Sequence, residues 1–342
     1  MQLQITRAGL QPIPILDCGP DFPFETLLAF ERQAHALLDV ATTGIPAIVL
    51  RQLDQVSRRW LVKWSNDHLD EIDKVAQRLA RPGSYFFSVN YEWGCTCRVA
   101  PSPDHKSARL VRVLDWKTPG LGKNVVAARV TGPAGRYVTL TWPGYTGVLT
   151  AMAPGRFSAA LNQAPMRKAA GFYYLDWAAN RRRVWSMPHP TPAHLLRSVM
   201  DEAKTFAEAK RRLTITAIST PAIFSLAGLK PNETTVIERT ETEARVHDGS
   251  NVAANHWQAP GWNGHHRGLD SAGRACRMHA ISSEMDAGFL WLEPPILNPR
   301  TRIVMVADAA RGELVARGVR GHGAGNHTPG VGGLRVSAPP GR

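Results

Sequence analysis

Acidic residues are scarce in this sequence: 28 Asp and Glu stand against 41 Lys and Arg, a formal net charge of +13. On charge alone that imbalance fits a nucleic-acid partner. The basic residues are scattered, however, apart from Arg181-Arg182-Arg183 and Lys210-Arg211-Arg212, and no nucleic-acid-binding motif accompanies them. No nucleic acid is expected as a partner. Long apolar runs are missing as well. No stretch approaches the length of a membrane-spanning helix. Pro12 and Pro14 interrupt Met1 to Pro20 before a run of signal-peptide length can form, so a cytoplasmic protein is expected. Cysteine is rare: Cys18, Cys95, Cys97 and Cys276 are too few and too dispersed for a disulfide framework. A reducing compartment would keep each as a thiol. There is no dinucleotide fingerprint or phosphate loop either, because Gly321 to Gly333 is not preceded by a strand and helix. No cofactor is expected.

What is present is enough for a sizeable core: 342 residues, 44% of them hydrophobic and 20% charged. The first 80 residues read as mainly helical, with one helix over residues 24–40 and a second over 54–79 that Arg81-Pro82-Gly83 stops. From Ser84 to Leu161 strands dominate. β-branched and aromatic runs at 85–91, 96–100, 110–116, 125–130 and 137–141 are split by turn residues, and 144–149 and 157–161 continue the pattern. A helix follows over 194–210, with Thr191 as N-cap and Pro192 in the first turn. Strands return at 234–239, 244–247 and 302–307, with a short helix between Gly268 and Ser282. Residues 320–342 are rich in Gly and Pro and read as a disordered tail.

The chemistry concentrates in Tyr91-Glu92-Trp93-Gly94-Cys95-Thr96-Cys97, read with Arg112-Val113-Leu114-Asp115. The first stretch reads as a strand carrying a cysteine at an exposed edge, the second as the return strand of a hairpin. A thiol becomes a nucleophile where a neighbouring base or positive charge favours the thiolate, and Arg112 and Asp115 follow Cys95 by 17 and 20 residues. The plain alternatives are a buried structural cysteine and a hairpin salt bridge. Cys97 shares a strand face with Cys95 and is either a second reactive thiol or a packing residue. A zinc site using Cys95, Cys97, His256, His265 and His266 fits poorly, since Cys-x-Cys lacks the usual separation and no second cysteine pair exists. No metal is expected.

These residues resemble the N-terminal-nucleophile (Ntn) hydrolases of the acid ceramidase, N-acylethanolamine acid amidase and choloylglycine hydrolase group, with isopenicillin acyltransferase a more distant relative. There the mature chain begins Cys-Thr and carries Arg-x-x-Asp one residue closer. The resemblance is strongest over residues 90–115 and weaker over most of the chain. It implies an α+β fold, an α/β/β/α four-layer sandwich of two stacked, mainly antiparallel sheets with a helical N-terminal segment. It also implies a cut between Gly94 and Cys95, giving a segment 1–94 and a catalytic segment 95–319 that stay associated. Cys95 would then be the nucleophile and its freed α-amino group the base, with an intrinsic pKa of about 7.7–8.0. Arg112 would stabilise thiolate and anionic oxygen, and Asp115 would hold the α-amino group.

Carried over block by block, Ala159-Ala160-Leu161-Asn162 implies a backbone N–H of Asn162 as one oxyanion donor. Ala254-Asn255-His256-Trp257 implies the side-chain amide of Asn255 as the other. An ordinary turn asparagine remains the alternative for Asn162. His265-His266-Arg267 resembles the family's Asp-Arg-Arg segment and makes Arg267 the supporting arginine, with Arg274 as the alternative. Trp93, Trp116, Trp142 and Tyr145 either line an acyl groove or are core. The expected substrate is a small-molecule or lipid amide, a linear non-peptide N-acyl amide with an apolar acyl chain, hydrolysed through a thioester on Cys95. A lipid amide leaves peripheral membrane contact open. Two other readings are an acyltransferase using the same acyl-enzyme and an unprocessed, inactive basic binding protein.

Overall fold

The computed structural model describes residues 13–89, 93–281, 288–319 and 331–337. Strand β1 (Ile15–Cys18) leads into α1 (Phe22–Ala29), α2 (Glu31–Thr42), α3 (Ala47–Lys63), α4 (Leu69–Leu79) and α5 (Ser84–Val89). The two long helices read from the sequence are thus each broken. Phe30, at φ −132°, leaves helical geometry between α1 and α2. Ser65, at φ 49°, turns the chain after α3. Residues 85–91 are aromatic and β-branched and read as a strand, yet they are helical as far as Val89. The carboxylate of Asp54 on α3 explains this: it accepts from the backbone N–H of Gly83 (2.7 Å) and of Phe86 (2.8 Å), capping α5 from outside its own sequence. Asn90, Tyr91 and Glu92 lie outside the described residues.

Next come β2 (Trp93–Pro101), β3 (Ala108–Trp116), β4 (Val126–Gly132), β5 (Gly135–Thr141), β6 (Thr150–Ala153) and β7 (Phe157–Gln163). Residues 144–149 form a loop rather than a strand. Gly147 lets this loop pass close to the following helices, since a Cβ there would sit 2.7 Å from the Ala193 side chain. Helices α6 (Tyr173–Ser186), α7 (Pro192–Glu202) and α8 (Phe206–Ile215) follow. Thr191 caps α7 as the sequence implies, while Thr205 caps a separate α8, splitting the single helix expected over 194–210. The chain ends with β8 (Ala222–Ala227), β9 (Thr234–Arg239), β10 (Ala244–Asp248), β11 (Asn251–Ala253), α9 (Ser271–Ala280), β12 (Thr301–Asp308), β13 (Glu313–Val319) and β14 (Val331–Ser337). Within the stretch read as a disordered tail, residues 331–337 therefore form a strand, antiparallel to β13. The open edge of β13 offers main-chain donors and acceptors whatever the side chains. The rest of 320–342 lies outside the described residues.

Among the described residues the strands form two sheets. One has the order β1-β4-β5-β6-β7-β8-β9-β10 and the other β11-β2-β3-β12-β13-β14. Every pairing is antiparallel except β1 with β4. The sheets stack with β2 and β3 against β7 and β8, α7 and α8 covering the outside of the first sheet and α9 that of the second. This is a four-layer α/β/β/α sandwich. No single described helix is long and apolar enough to cross a membrane.

Residues on either side of Gly94 share one core. Arg197 on α7 donates to both carboxylate oxygens of Glu71 on α4 and, at 2.8 Å, to the Pro20 carbonyl. Its guanidinium also lies 4.7 Å from the centre of the Phe22 ring. Trp60 donates its indole N–H to the Met187 carbonyl at 2.8 Å. Val184 of α6 packs with Trp60, Leu61, Ile72 and Val89.

Candidate active site

Strand β2 is not an edge. It lies between β11 and β3, and Cys95 is wholly buried. Side chains alternate across a strand, so Cys95, Cys97 and Val99 of β2 join Leu110 and Leu114 of β3 in the core between the sheets, while Val111 and Val113 face outward. Arg112 is directly opposite Cys97 and points into that core, fully buried. Its Nη2 donates to the Cys95 Sγ at 3.1 Å and to the Leu161 carbonyl at 2.8 Å. Its Nη1 reaches the Asn162 Oδ1 at 3.4 Å and the Cys97 Sγ at 3.8 Å. Burial pushes the Cys95 thiol up to about 12, with the Arg112 charge pulling the other way.

Asp115 stands opposite Gly94 and faces the other side of the sheet, toward α9. Thr301 Oγ1 donates to one of its oxygens at 2.8 Å and Asn298 Nδ2 to the other at 2.9 Å. Burial pushes its carboxyl above the usual carboxylate range, opposed first by the charge of Arg274. Arg274 comes from α9, whose N-cap Asp270 accepts from Gly273. Its Nη1 donates to the Cys95 carbonyl (2.5 Å) and the Thr96 Oγ1 (2.6 Å), and its Nη2 to the Asn255 Oδ1 (2.9 Å). The same Asn255 Oδ1 accepts the backbone N–H of Cys95 at 2.6 Å, and Asn255 Nδ2 donates to the Gln163 carbonyl at 2.7 Å.

Cys95, Arg112, Asp115 and Asn255 therefore converge. Asn162 and Arg267 do not take the places expected of them. Leu161 donates its N–H to the Leu149 carbonyl, and strand alternation then turns the next N–H, that of Asn162, toward β8 and away from Cys95. The Asn162 side chain accepts from the Cys97 thiol at 3.0 Å and donates to the Ala253 and Ala254 carbonyls at 3.1 and 3.2 Å. It pins the residues just before Asn255. Arg267 donates its Nε to the Ala164 carbonyl at 3.1 Å, and the supporting arginine at Cys95 is Arg274. The first turn of a well-capped helix carries Arg274 into the sheet, whereas residues 265–268 run along its rim as a loop. His265 bonds Asp176 through Nε2 at 2.8 Å, and His256 bonds Ser271 through Nδ1 at 2.8 Å. Among the described residues no group of three or more His, Cys, Asp or Glu is arranged to hold a metal. Sequence reasoning missed Asn298 and Thr301, which reach Asp115 from more than 180 residues away and follow no local motif.

Gly94 is tightly enclosed: a Cβ there would lie 3.0 Å from the Gly268 Cα and 3.4 Å from the Asp115 Cβ. Beside it is a cavity of about 160 Å³ on Trp93, Gly94 and Asp115. A larger, mainly apolar cavity of about 650 Å³ adjoins it, with Lys117 and Tyr173 lining both. Leu38, Val75 and Phe86 from before Gly94 and Trp116, Trp142 and Tyr145 from after it form its walls. Both segments are needed to enclose it. Trp93 lines the smaller cavity and stacks on Trp116, ring centres 5.3 Å apart.

No family model matches the chain. In sequence it is 29% identical over 168 residues to an N-acylethanolamine-hydrolyzing acid amidase of Caenorhabditis elegans, covering 48% of this chain and 44% of that protein. It is 34% identical over 101 residues to acid ceramidase of Mus musculus, covering 30% of this chain and 24% of that one. It is 33% identical over 104 residues to acid ceramidase of Homo sapiens, 30% of this chain and 25% of that one. The matched stretches span less than half the length of these curated relatives. Among solved structures, the Caenorhabditis elegans N-acylethanolamine-hydrolyzing acid amidase ortholog aligns with a TM-score of 0.49 at 22% identity, over 62% of this chain and 92% of that one. In sequence, then, part of this chain is similar to acid ceramidases and to an N-acylethanolamine-hydrolyzing acid amidase, the group that its Cys-Thr and Arg-x-x-Asp residues resemble.

Proposed function

We propose that the chain is a self-processing cysteine amidase that hydrolyses a linear N-acyl amide with an apolar acyl chain. The observation that carries this reading is the placement of Cys95: Arg112 meets its sulfur at 3.1 Å and Asn255 its backbone nitrogen at 2.6 Å. In the first step the Cys95 Sγ attacks the Gly94 carbonyl carbon, and the Gly94–Cys95 peptide bond breaks. The thioester so formed is hydrolysed, leaving a carboxylate on Gly94 and an α-amino group on Cys95. That amine, held by Asn255 and near Asp115, then serves as proton acceptor for the Cys95 thiol.

In turnover, sulfur bonds to the acyl carbon and the amide C–N bond breaks. The thiol proton, passed through the α-amine, leaves on the departing amine. Water then cleaves the thioester, releasing the fatty acid and restoring the thiol. Arg112 supplies positive charge beside the sulfur, and the large apolar cavity has a volume suited to an acyl chain. The sequence relatives named above, an amidase and ceramidases, support the same reaction class.

The test is intact mass together with turnover. Wild-type protein should appear as fragments 1–94 and 95–342 that co-purify and release fatty acid from an N-acyl amide. Cys95→Ala should stay full length and inactive. An active wild-type enzyme recovered only at full length would overturn the α-amine mechanism.

A further inference from the structure

This inference rests on the amidase reading and concerns how Asp115 is held. We propose that Asn298 and Thr301 are positioning residues of the site: they fix the Asp115 carboxylate in one orientation and leave its charge for the α-amino group that the cut would create on Cys95. Both belong to the turn Asn298-Pro299-Arg300-Thr301 that enters β12. Thr301 Oγ1 accepts the backbone N–H of Asn298 at 3.0 Å, which turns its own proton toward Asp115 at 2.8 Å, with the Ile296 carbonyl farther off at 3.4 Å. The Asn298 amide is used at both ends. Its Oδ1 accepts the N–H of Arg300 at 3.0 Å, and its Nδ2 donates to Asp115 at 2.9 Å and to the Ile296 carbonyl at 3.2 Å. Trp116, next after Asp115, donates its N–H to the Arg300 carbonyl at 2.7 Å. Turn and carboxylate form one hydrogen-bonded unit.

A slip in strand register puts the hydroxyl there. Ile303 pairs with Leu114, and the same register carried one step further would set Arg302 opposite Asp115. The pairing shifts at that point, and Thr301 stands opposite Asp115 instead, the re-aiming that β-bulges perform beside active sites. Arg302 is directed away, to the Thr118 and Pro299 carbonyls at 3.1 and 3.0 Å. The exchange matters chemically. A guanidinium opposite Asp115 would make two parallel hydrogen bonds to the carboxylate and cancel its charge. A hydroxyl and an amide hold the same two oxygens without neutralising them. Arg274, whose Nη1 lies 3.6 Å from Asp115, already donates to the Cys95 carbonyl and the Thr96 hydroxyl. Each Asp115 oxygen keeps a lone pair for a further donor, and Gly94, whose bond to Cys95 would be cut, stands directly across from Asp115.

The test is steady-state turnover of N-lauroylglycine and N-lauroylethanolamine by enzyme that intact mass shows to be cut before Cys95. Thr301→Val keeps the side-chain shape and loses the donor, and should lower kcat about tenfold or more. Neither Asn298 nor Thr301 lines the two cavities, so KM should stay within about twofold of wild type. Thr301→Ser restores a hydroxyl and should recover most of the loss, and Asn298→Ala should lower kcat as Thr301→Val does. In an Asp115→Asn background, Thr301→Val should cost less than about threefold more, because a residue acting through Asp115 has nothing left to orient. Should Thr301→Val fail to fold, Asn298→Ala with and without Asp115→Asn decides the same question. Unchanged kcat in both single variants, a serine variant no better than the valine one, or an undiminished penalty in the Asp115→Asn background overturns this inference and leaves the amidase reading standing. If cut wild-type enzyme hydrolyses neither amide, the amidase reading fails and this inference with it.

Discussion

Arg112 and Asp115, three residues apart on β3, act on opposite faces of one sheet. Arg112 reaches the Cys95 sulfur between the two sheets, and Asp115 sits opposite Gly94 on the side of α9. An odd spacing on a strand requires this, and it rules out the hairpin salt bridge that the sequence also allowed. One residue is addressed from two sides, its side chain by Arg112 and its main chain by Arg274 and Asn255.

The Asp115 side of this arrangement should show in pH dependence. Its carboxyl is raised by burial, so its contribution to stability is fully present below the unfolded value and is lost as pH rises through the folded one. Asp115→Asn should therefore gain melting temperature relative to wild type as pH rises above the unfolded carboxyl value of about 3.9. Over the same range it should lose turnover by roughly 10²–10⁴-fold. Thermal melts and initial rates on one amide check both directions.

The two asparagines should respond unequally to alanine. Asn255 holds the Cys95 nitrogen and the Arg274 guanidinium directly, so Asn255→Ala should cost about 10²–10³ in turnover, the loss expected of a single site hydrogen-bonding group. Asn162 acts through the Ala253 and Ala254 carbonyls, and Asn162→Ala should cost several-fold less. Steady-state rates should be compared only after mass spectrometry shows the same extent of cleavage before Cys95.

Thiol labelling should follow the proposed cut. In uncut protein Cys95 is buried and its thiol is pushed up to about 12, whereas Cys276 is exposed. Iodoacetamide at pH 8 should label Cys276 and spare Cys95 while the chain is intact. Once residue 95 is the first of its segment, Cys95 should be alkylated too. Peptide mapping of both forms gives the answer.

Gly94 is a steric requirement. A methyl group there would lie 3.0 Å from the backbone of Gly268, and backbone cannot swing aside as a flexible side chain can. Gly94→Ala should slow processing by an order of magnitude or more, on the scale set by small misplacements of reacting groups. A time course of fragment appearance measures it, with far-UV circular dichroism as the check on folding.

The juxtaposition of Cys95 with Arg112 and Asp115 was legible because it is local: Cys95-Thr96 and Arg112-x-x-Asp115 fall on two adjacent strands. Asn255 was legible only through family resemblance, since nothing between residues 95 and 255 says that they meet. Arg267 was misassigned because loop and helix cannot be told apart from a short basic stretch, and only the capped start of α9 sets Arg274 into the sheet. Residues 85–91 misled for a related reason. Asp54, some thirty positions earlier, supplies the cap that makes their first half helical, and local propensity has no knowledge of it.

Glu71 and Arg197 lie on either side of residue 94 and meet in the interior. Before the proposed cut they belong to one chain, and refolding from denaturant is a first-order event. Afterwards they belong to two, and regaining the same contact becomes a second-order encounter whose yield depends on dilution. A single peptide bond thus decides whether the protein can find its shape again unaided. Its persistence after the cut would then rest on how slowly the halves part.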